Sequence, residues 1–198
     1  MKQFGLKFIA AFACLTAFGV LAADTVTSSD TGVKFPTVES FSYDGVDYEL
    51  TVTGIATRKK FFVRIYSVAS YLQKNGNGAE GDKYRRIMNP EKAKQLTLKW
   101  VRNVDGASVE NGYRESLAKT DAAGMSEQIN AFVSFFKDGV EYLDEHQIRW
   151  IPGGTIEVLI NGSRAGTIEN EAFAKGLWQV WFGPDSVVDR ENLTTMMQ

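Results

Sequence analysis

The chain has 198 residues, enough for one domain with a substantial core, and carries 22 Lys and Arg against 24 Asp and Glu, for a net charge of −2. A weakly acidic chain without a dense basic patch argues against nucleic-acid binding. Its single cysteine and single histidine argue against a disulfide framework, a thiol nucleophile or a catalytic triad.

The N-terminal segment 1–23 has the pattern of a secretory signal peptide. Lys2 and Lys7 precede an apolar stretch over 8–21, and small residues follow it. The stretch is shorter than the roughly 20 residues that span a bilayer. We therefore expect cleavage, a periplasmic or secreted location, and a mature chain of net charge −4 without Cys14, as suits an oxidising compartment.

Beyond the signal, we expect a flexible lead-in over 24–34 and one domain over 35–198. Two turn signals, Asp44-Gly45 and Asn161-Gly162, predict hairpins. Strands outnumber helices and do not alternate regularly with them, which predicts an α+β fold with a mostly antiparallel β-sheet and helices packed on one face. Strands are predicted at 37–43, 46–57, 61–72, 95–102, 147–151, 155–160 and 165–168.

Helix starts are predicted from capping residues. Asp105, Ser126 and Asn170 each precede a segment with helical spacing, and we expect each to be an N-cap. These helices extend to about 119, 137 and 181.

Arg58 is the leading candidate for a binding residue. It ends a strand in which, without a bulge, it shares a face with Leu50, Val52, Gly54 and Ala56. Small residues beside a guanidinium make a receptor for a carboxylate, phenolate or enolate. The alternatives are an exposed strand-end arginine, or a bulge that turns the side chain to the other face.

Several segments, in order, resemble the chalcone isomerase-like family. The family pattern is seen in a Gly-x-Gly-x-Arg-type strand end at 54–59, where the second glycine is replaced by alanine here, and in a strand closing with Tyr-Leu at 62–72. The opening Phe-Pro strand at 35–38, the hairpin at 151–155 and the C-terminal helix at 172–183 also match. The resemblance covers nearly the whole mature chain.

The resemblance implies a cleft between the helices and the sheet. Arg58 and Tyr113 match cleft residues of the family, and Tyr113 shares a helix face with Thr120. Three positions differ from catalytic members: Thr120 stands where they carry Asn, Tyr66 where they carry Thr, and Val180 where they carry a polar group. Removing one transition-state donor typically costs about 3 kcal/mol, so these changes predict binding with little catalysis.

Our leading hypothesis is an exported bacterial protein, non-catalytic, that binds a small hydrophobic anion. Non-enzymatic relatives are fatty-acid binders, which suits an apolar cleft with one cation. Arg58 is the expected anchor, Tyr66 and Tyr113 the polar supports, and Val180 and Trp181 parts of the wall.

Two alternatives remain open. The first is an isomerase, an intramolecular lyase acting on a chalcone-like α,β-unsaturated ketone. Arg58 would then stabilise the oxyanion and Tyr113 would hold a water network. The second is an envelope accessory protein that binds a partner through the sheet edge near 35–41.

No cofactor and no metal ion are expected. Glu141, Asp144 and Glu145 fit a solvated acidic turn better than a metal site, and His146 is expected to be structural. The four tryptophans are expected in the core, with an aromatic cleft wall as the alternative.

Overall fold

The computed structural model describes residues 24–74 and 82–197. The predicted signal peptide, with its cysteine, lies outside the described residues.

Within the described residues, seven strands form one antiparallel sheet in which each strand pairs with the next along the chain, and two short N-terminal strands form a separate hairpin. Helices cover one face of the large sheet, which confirms the predicted α+β class. The strands are β1 (Thr25–Thr27), β2 (Lys34–Pro36), β3 (Val38–Tyr43), β4 (Val46–Lys60), β5 (Val63–Gln73), β6 (Lys94–Trp100), β7 (Glu145–Ile151), β8 (Thr155–Ile160) and β9 (Ser163–Glu169).

The helices lie where the sequence predicts them, but one of the three predicted N-caps is wrong. Side-chain oxygens of Asp105 and Asn170 accept hydrogen bonds from backbone amides of the first turn, as predicted. Ser126 is not a cap: Met125 holds that position without a side-chain bond, because the chain enters the helix from a preceding turn. No helix among the described residues has the length and apolar composition to cross a bilayer. The helices are α1 (Lys83–Ile87), α2 (Gly106–Leu117), α3 (Ser126–Ser134), α4 (Glu171–Phe182) and a 3-10 turn (Asn192–Thr194).

Two hydrophobic clusters lie on opposite faces of the sheet. The larger cluster joins sheet residues such as Leu96 and Ile148 to Phe132 on α3 and Phe173 on α4. The smaller cluster forms on the other face beneath the N-terminal strands. The helix side of the sheet is therefore the thicker layer.

The N-terminal strands cover the second face. The sequence predicts a flexible lead-in over 24–34, whereas β1 pairs with β2 and the Ser28 hydroxyl lies 3.0 Å from that of Ser67. The partner surface predicted near 35–41 includes β3, which is an edge strand of the large sheet. The aromatic side chains of Phe35 and Phe41 are buried in the smaller cluster.

A β-bulge at Thr53 reverses the alternation of β4. Val52 pairs with Tyr71, but Gly54 pairs with Ser70, so Thr53 is the extra residue.

The bulge separates residues that an unbroken strand would place on one face. Leu50 and Val52 belong to the smaller cluster, whereas Ala56 belongs to the larger one. Arg58 lies two residues beyond Ala56 and faces the helices. Arg58 therefore shares a face with Gly54 and Ala56, as expected, but not with Leu50 and Val52, and the bulge directs the guanidinium to the thicker layer.

The 3-10 turn packs directly on the bulge. The Thr53 hydroxyl donates to the Leu193 carbonyl at 2.8 Å. A Cβ added to Gly54 would lie 2.1 Å from the Asn192 carbonyl oxygen, so only glycine allows this approach.

We expect Gly54→Ala to destabilise the protein by about 1–3 kcal/mol, because the C-terminal backbone must move away from the strand. Gly112→Ala on α2 is the matched control. Its added Cβ meets nothing within 4 Å, and an alanine in a helix gains up to about 1 kcal/mol over glycine. Urea denaturation measures both; equal stability of the two variants would contradict the close approach at Gly54.

Lys94 is fully buried at the opposite end of the sheet from Arg58. Its ammonium nitrogen donates to the Asn89 carbonyl at 2.5 Å and lies 3.8 Å from the centroid of the Trp150 ring. It forms no ion pair with the described residues. Burial lowers the pKa of Lys94 to about 7.

The depressed pKa predicts stability that increases with pH. Between about 7 and the ordinary value of 10.5, the unfolded chain binds a proton at Lys94 that the folded chain does not. Unfolding free energy should rise with a slope of up to about 1.4 kcal/mol per pH unit from pH 7 to 9, below the range in which tyrosines titrate. Lys94→Met should flatten this slope and be more stable at pH 7. An unchanged slope in urea titrations would contradict a buried, titrating Lys94.

Candidate functional site

A cavity of about 240 Å³ lies between the end of the sheet and helices α2 and α4. Its walls are mostly aromatic and aliphatic, and the exposed residues Lys60, Ser108 and Glu115 lie at its rim. Strand residues on its wall are Arg58, Ile65, Tyr66 and Trp100, and helix residues include Val109, Tyr113 and Val180.

Arg58 enters the cavity from the end of β4. It stands directly opposite Tyr66 in the β4–β5 register, and its side chain is half-buried. One guanidinium nitrogen donates to the Val187 carbonyl at 2.6 Å, which holds the group in place. Arg58 forms no ion pair with the described residues. Since a guanidinium has five N–H donors, most of its donors remain for another acceptor.

Tyr66 is buried beside this guanidinium. Its hydroxyl oxygen accepts a hydrogen bond from the Trp181 indole N–H at 3.2 Å, and its ring packs edge-on against Trp100. Burial raises the pKa of Tyr66 to about 12, against the opposing effects of the Arg58 charge and the Trp181 bond. The phenol is therefore neutral at physiological pH, and its own proton is free for donation into the cavity.

Tyr113 also lines the cavity, from helix α2. Its ring stacks on Phe136 with centroids 4.9 Å apart and meets Phe132 edge-on at 5.0 Å. Burial, and secondarily Tyr66, raises the pKa of Tyr113 well above its ordinary value. The buried hydroxyl has no hydrogen-bond partner among the described residues. Buried polar groups without a partner are rare in folded proteins.

The structure brings four of the six predicted site residues to the cavity: Arg58, Tyr66, Tyr113 and Val180. Trp181 is not part of the cavity lining, but its indole N–H donates to the hydroxyl of Tyr66, which is a lining residue. Thr120 is absent from the lining, and its hydroxyl donates to the Leu117 carbonyl at 2.9 Å. The seven-residue spacing from Tyr113 fails because α2 ends at Leu117, so Thr120 lies in the following turn.

Of the four tryptophans, Trp100 takes the alternative place in the cavity wall, opposite Tyr66 in the β5–β6 register. Sequence reasoning missed one group that positions the site. The Val187 carbonyl, which holds Arg58, belongs to an irregular segment after α4. A backbone group in such a segment leaves no side-chain signature in the sequence.

The other predicted groups have structural partners. His146 accepts a hydrogen bond from the Trp100 indole N–H at 3.2 Å, and burial lowers the pKa of His146 to about 4, so its ring is neutral at pH 7. Asp144 accepts from the Glu141 amide, while Glu145 pairs with Lys99 at 3.2 Å.

The fold and the site together define a class of protein. In this class an antiparallel sheet is covered by helices on one face, and a cavity at the end of the sheet has an arginine guanidinium fixed on its wall. A family model described as chalcone isomerase-like matches residues 28–196. The chain belongs to the chalcone isomerase-like family, as the resemblance of its segments predicts.

Among solved structures, the chain is similar to the crystal structure of a fatty-acid binding protein from Arabidopsis thaliana. The TM-score is 0.71 at 18% sequence identity, and the match covers 86% of this chain and 96% of that chain. At this identity the likeness establishes the fold. A comparison with curated proteins gives no significant match.

The two cavity tyrosines should respond differently to loss of the hydroxyl. Tyr113→Phe removes an unpaired buried group, so we expect stability that is unchanged or higher by up to about 1 kcal/mol. Tyr66→Phe leaves the Trp181 N–H without its acceptor and should cost about 1–3 kcal/mol. Thermal or urea unfolding of both variants measures this contrast, and a larger loss for Tyr113→Phe would mean that its hydroxyl already has a partner.

Proposed function

We propose that this protein binds a small hydrophobic anion, such as a fatty acid, without converting it. The observation that carries the proposal is the Arg58 guanidinium at the wall of a largely apolar cavity, with no acidic partner among the described residues. A fixed cation in such surroundings favours a carboxylate over a neutral head group.

The hydrogen-bonding groups at the cavity suit an anion. Arg58, Tyr66 and Tyr113 all present N–H or O–H donors, and both phenols are neutral at physiological pH. A carboxylate has several acceptor sites and no donor, so it complements this set.

The size of the cavity limits the ligand. A volume of about 240 Å³ is below the roughly 300–1,000 Å³ of common ligand pockets. It fits a short acyl chain, or the carboxyl end of a longer chain whose tail leaves through the rim. The apolar contacts of Ile65, Val109 and Val180 would surround the first methylenes.

Two features favour binding over isomerase chemistry. Thr120, where the resemblance places an Asn in catalytic members, directs its hydroxyl to the backbone outside the cavity. Val180 lines the cavity without a polar atom. An enolate formed here would have fewer placed donors than the family reaction requires. The fold likeness to a fatty-acid binding protein is in keeping with a binding role.

The location of the protein is part of the proposal. The segment 1–23 has the order of charged, apolar and small residues that export signals share. We propose that the protein works in the periplasm or outside the cell, where a cysteine-free mature chain is at no risk of wrong disulfides.

The proposal is tested by the affinities of decanoate and of decanol, which share one chain length and differ in head group. Wild type should bind decanoate about 10–100 times more tightly, as expected for a charge-assisted hydrogen bond. Arg58→Met should remove this preference and leave decanol affinity nearly unchanged. Arg58→Lys should keep only part of it, because an ammonium lacks the guanidinium fork.

A steric variant and an activity assay complete the experiment. Gly112→Leu fills the open space beside the cavity and should weaken both ligands, while keeping the ratio between them. Equal affinities of the acid and the alcohol for wild type would contradict the anion anchor. Chalcone turnover that disappears in Arg58→Met would establish the isomerase alternative instead.

A further inference from the structure

The turn between β4 and β5 carries two large apolar side chains in solvent. Phe61 is 89% exposed and Phe62 is fully exposed, and Val63 beside them is also exposed. Lys60 pairs with Val63 in the register, so the turn consists of the two phenylalanines alone. Neither ring belongs to a hydrophobic cluster of the described residues.

The same sheet contains two other two-residue turns, and these have the residues that such turns require. Asp44-Gly45 and Asn161-Gly162 have positive φ angles at both positions, which Asp, Asn and Gly adopt most easily. Phe61 also has a positive φ, of 57°, although a bulky residue is disfavoured there. The phenylalanine turn is thus the conformationally costly choice, and folding does not explain it.

The strand ends beside this turn are basic. Lys59, Lys60 and Arg64 surround the two phenylalanines, and Lys59 stands directly opposite Arg64 in the register, where like charges repel. Asp30 pairs with Lys59 at 2.9 Å and is the one acidic partner of this group among the described residues. The tip of the β4–β5 hairpin, residues 59–64, therefore carries a local excess of positive charge on a chain of net charge −2.

Exposed aromatic side chains with a collar of lysine and arginine match the chemistry of an anionic bilayer surface. The rings enter the boundary between head groups and acyl chains, while the cations meet lipid phosphates. We propose that the Phe61-Phe62 turn docks the protein on membranes that contain anionic phospholipids. This inference goes beyond ligand binding and does not depend on it.

The position of the tip adds a geometric argument. Arg58, Lys60 and Ile65 belong to the same hairpin and line the cavity. Phe61 lies three positions beyond Arg58, or about 10 Å at a rise of ~3.3 Å per residue. Docking by the tip would therefore hold the cavity rim close to the lipid surface, where an amphipathic anion enters or leaves.

The test is co-sedimentation of the purified protein with vesicles of phosphatidylcholine alone or mixed with phosphatidylglycerol. We expect binding to the mixed vesicles that weakens at high ionic strength, and little binding to phosphatidylcholine alone. Phe61→Asn/Phe62→Gly copies the Asn161-Gly162 turn. It should keep or raise the melting temperature and lower vesicle affinity by at least about tenfold.

The charge component is tested separately. Arg64→Ser should weaken binding to anionic vesicles by about fivefold, as expected for one basic residue near an anionic surface. Because Arg64 is outside the cavity lining, ligand affinity should not change with it.

The chain offers a matched control turn. Tyr142 and Leu143 are also exposed, and Leu143 also has a positive φ, but acidic residues, Glu141 and Asp144, flank them. Tyr142→Asn/Leu143→Gly should leave vesicle binding unchanged. Gly112→Leu, which obstructs the cavity, should also bind vesicles as wild type does, so a failure of the ligand proposal is distinguishable from a failure of this one.

A direct reporter locates the contact. In Phe62→Trp, the added exposed indole should shift its emission to the blue on mixed vesicles and be quenched by brominated lipid. Unchanged vesicle affinity of Phe61→Asn/Phe62→Gly would overturn the proposal. So would concentration-dependent dimers that this variant abolishes without any vesicle binding by wild type, since the tip would then be a contact between two copies.

Discussion

The reversal of side-chain alternation at Thr53 is the constraint on which the site depends. Before it, Leu50 and Val52 pack into the smaller cluster, and after it, Ala56 and Arg58 face the helices. One unpaired residue thus moves a guanidinium from one layer of the protein to the other. Without this change, Arg58 would lie on the face of the smaller cluster, away from the helix-side cavity.

The C-terminal segment stabilises both the bulge and the arginine. The Thr53 hydroxyl donates to the Leu193 carbonyl, and the Arg58 guanidinium donates to the Val187 carbonyl a few residues earlier. Gly54 allows the two backbones to approach each other. The segment that follows α4 therefore acts as part of the site, although it contributes almost no side chain to it. Its contribution consists of backbone acceptors held at fixed positions.

Short-range signals in the sequence predicted local structure well where the relevant interactions are also short-range. Asp105 and Asn170 cap their helices because the bonded amides lie only three residues away. The same reasoning failed for Ser126, where a preceding turn supplies the helix entry, and for Thr120, where the helix ends before the periodicity can apply. In both cases the residues with helical spacing were recognised correctly, but the residue at which the helix begins or ends depended on the adjacent turn.

The sequence by itself determined the α+β class, the tight hairpins and the family. Strand alternation, turn residues and family motifs can each be recognised from residues that are close together in the chain. Only the tertiary structure decided which face Arg58 occupies, which carbonyl holds it, and that the Tyr113 hydroxyl is buried without a partner among the described residues. The physical reason is the same for all three. A bulge resets a two-residue period without changing composition, and hydrogen bonds between distant segments depend on how the layers pack.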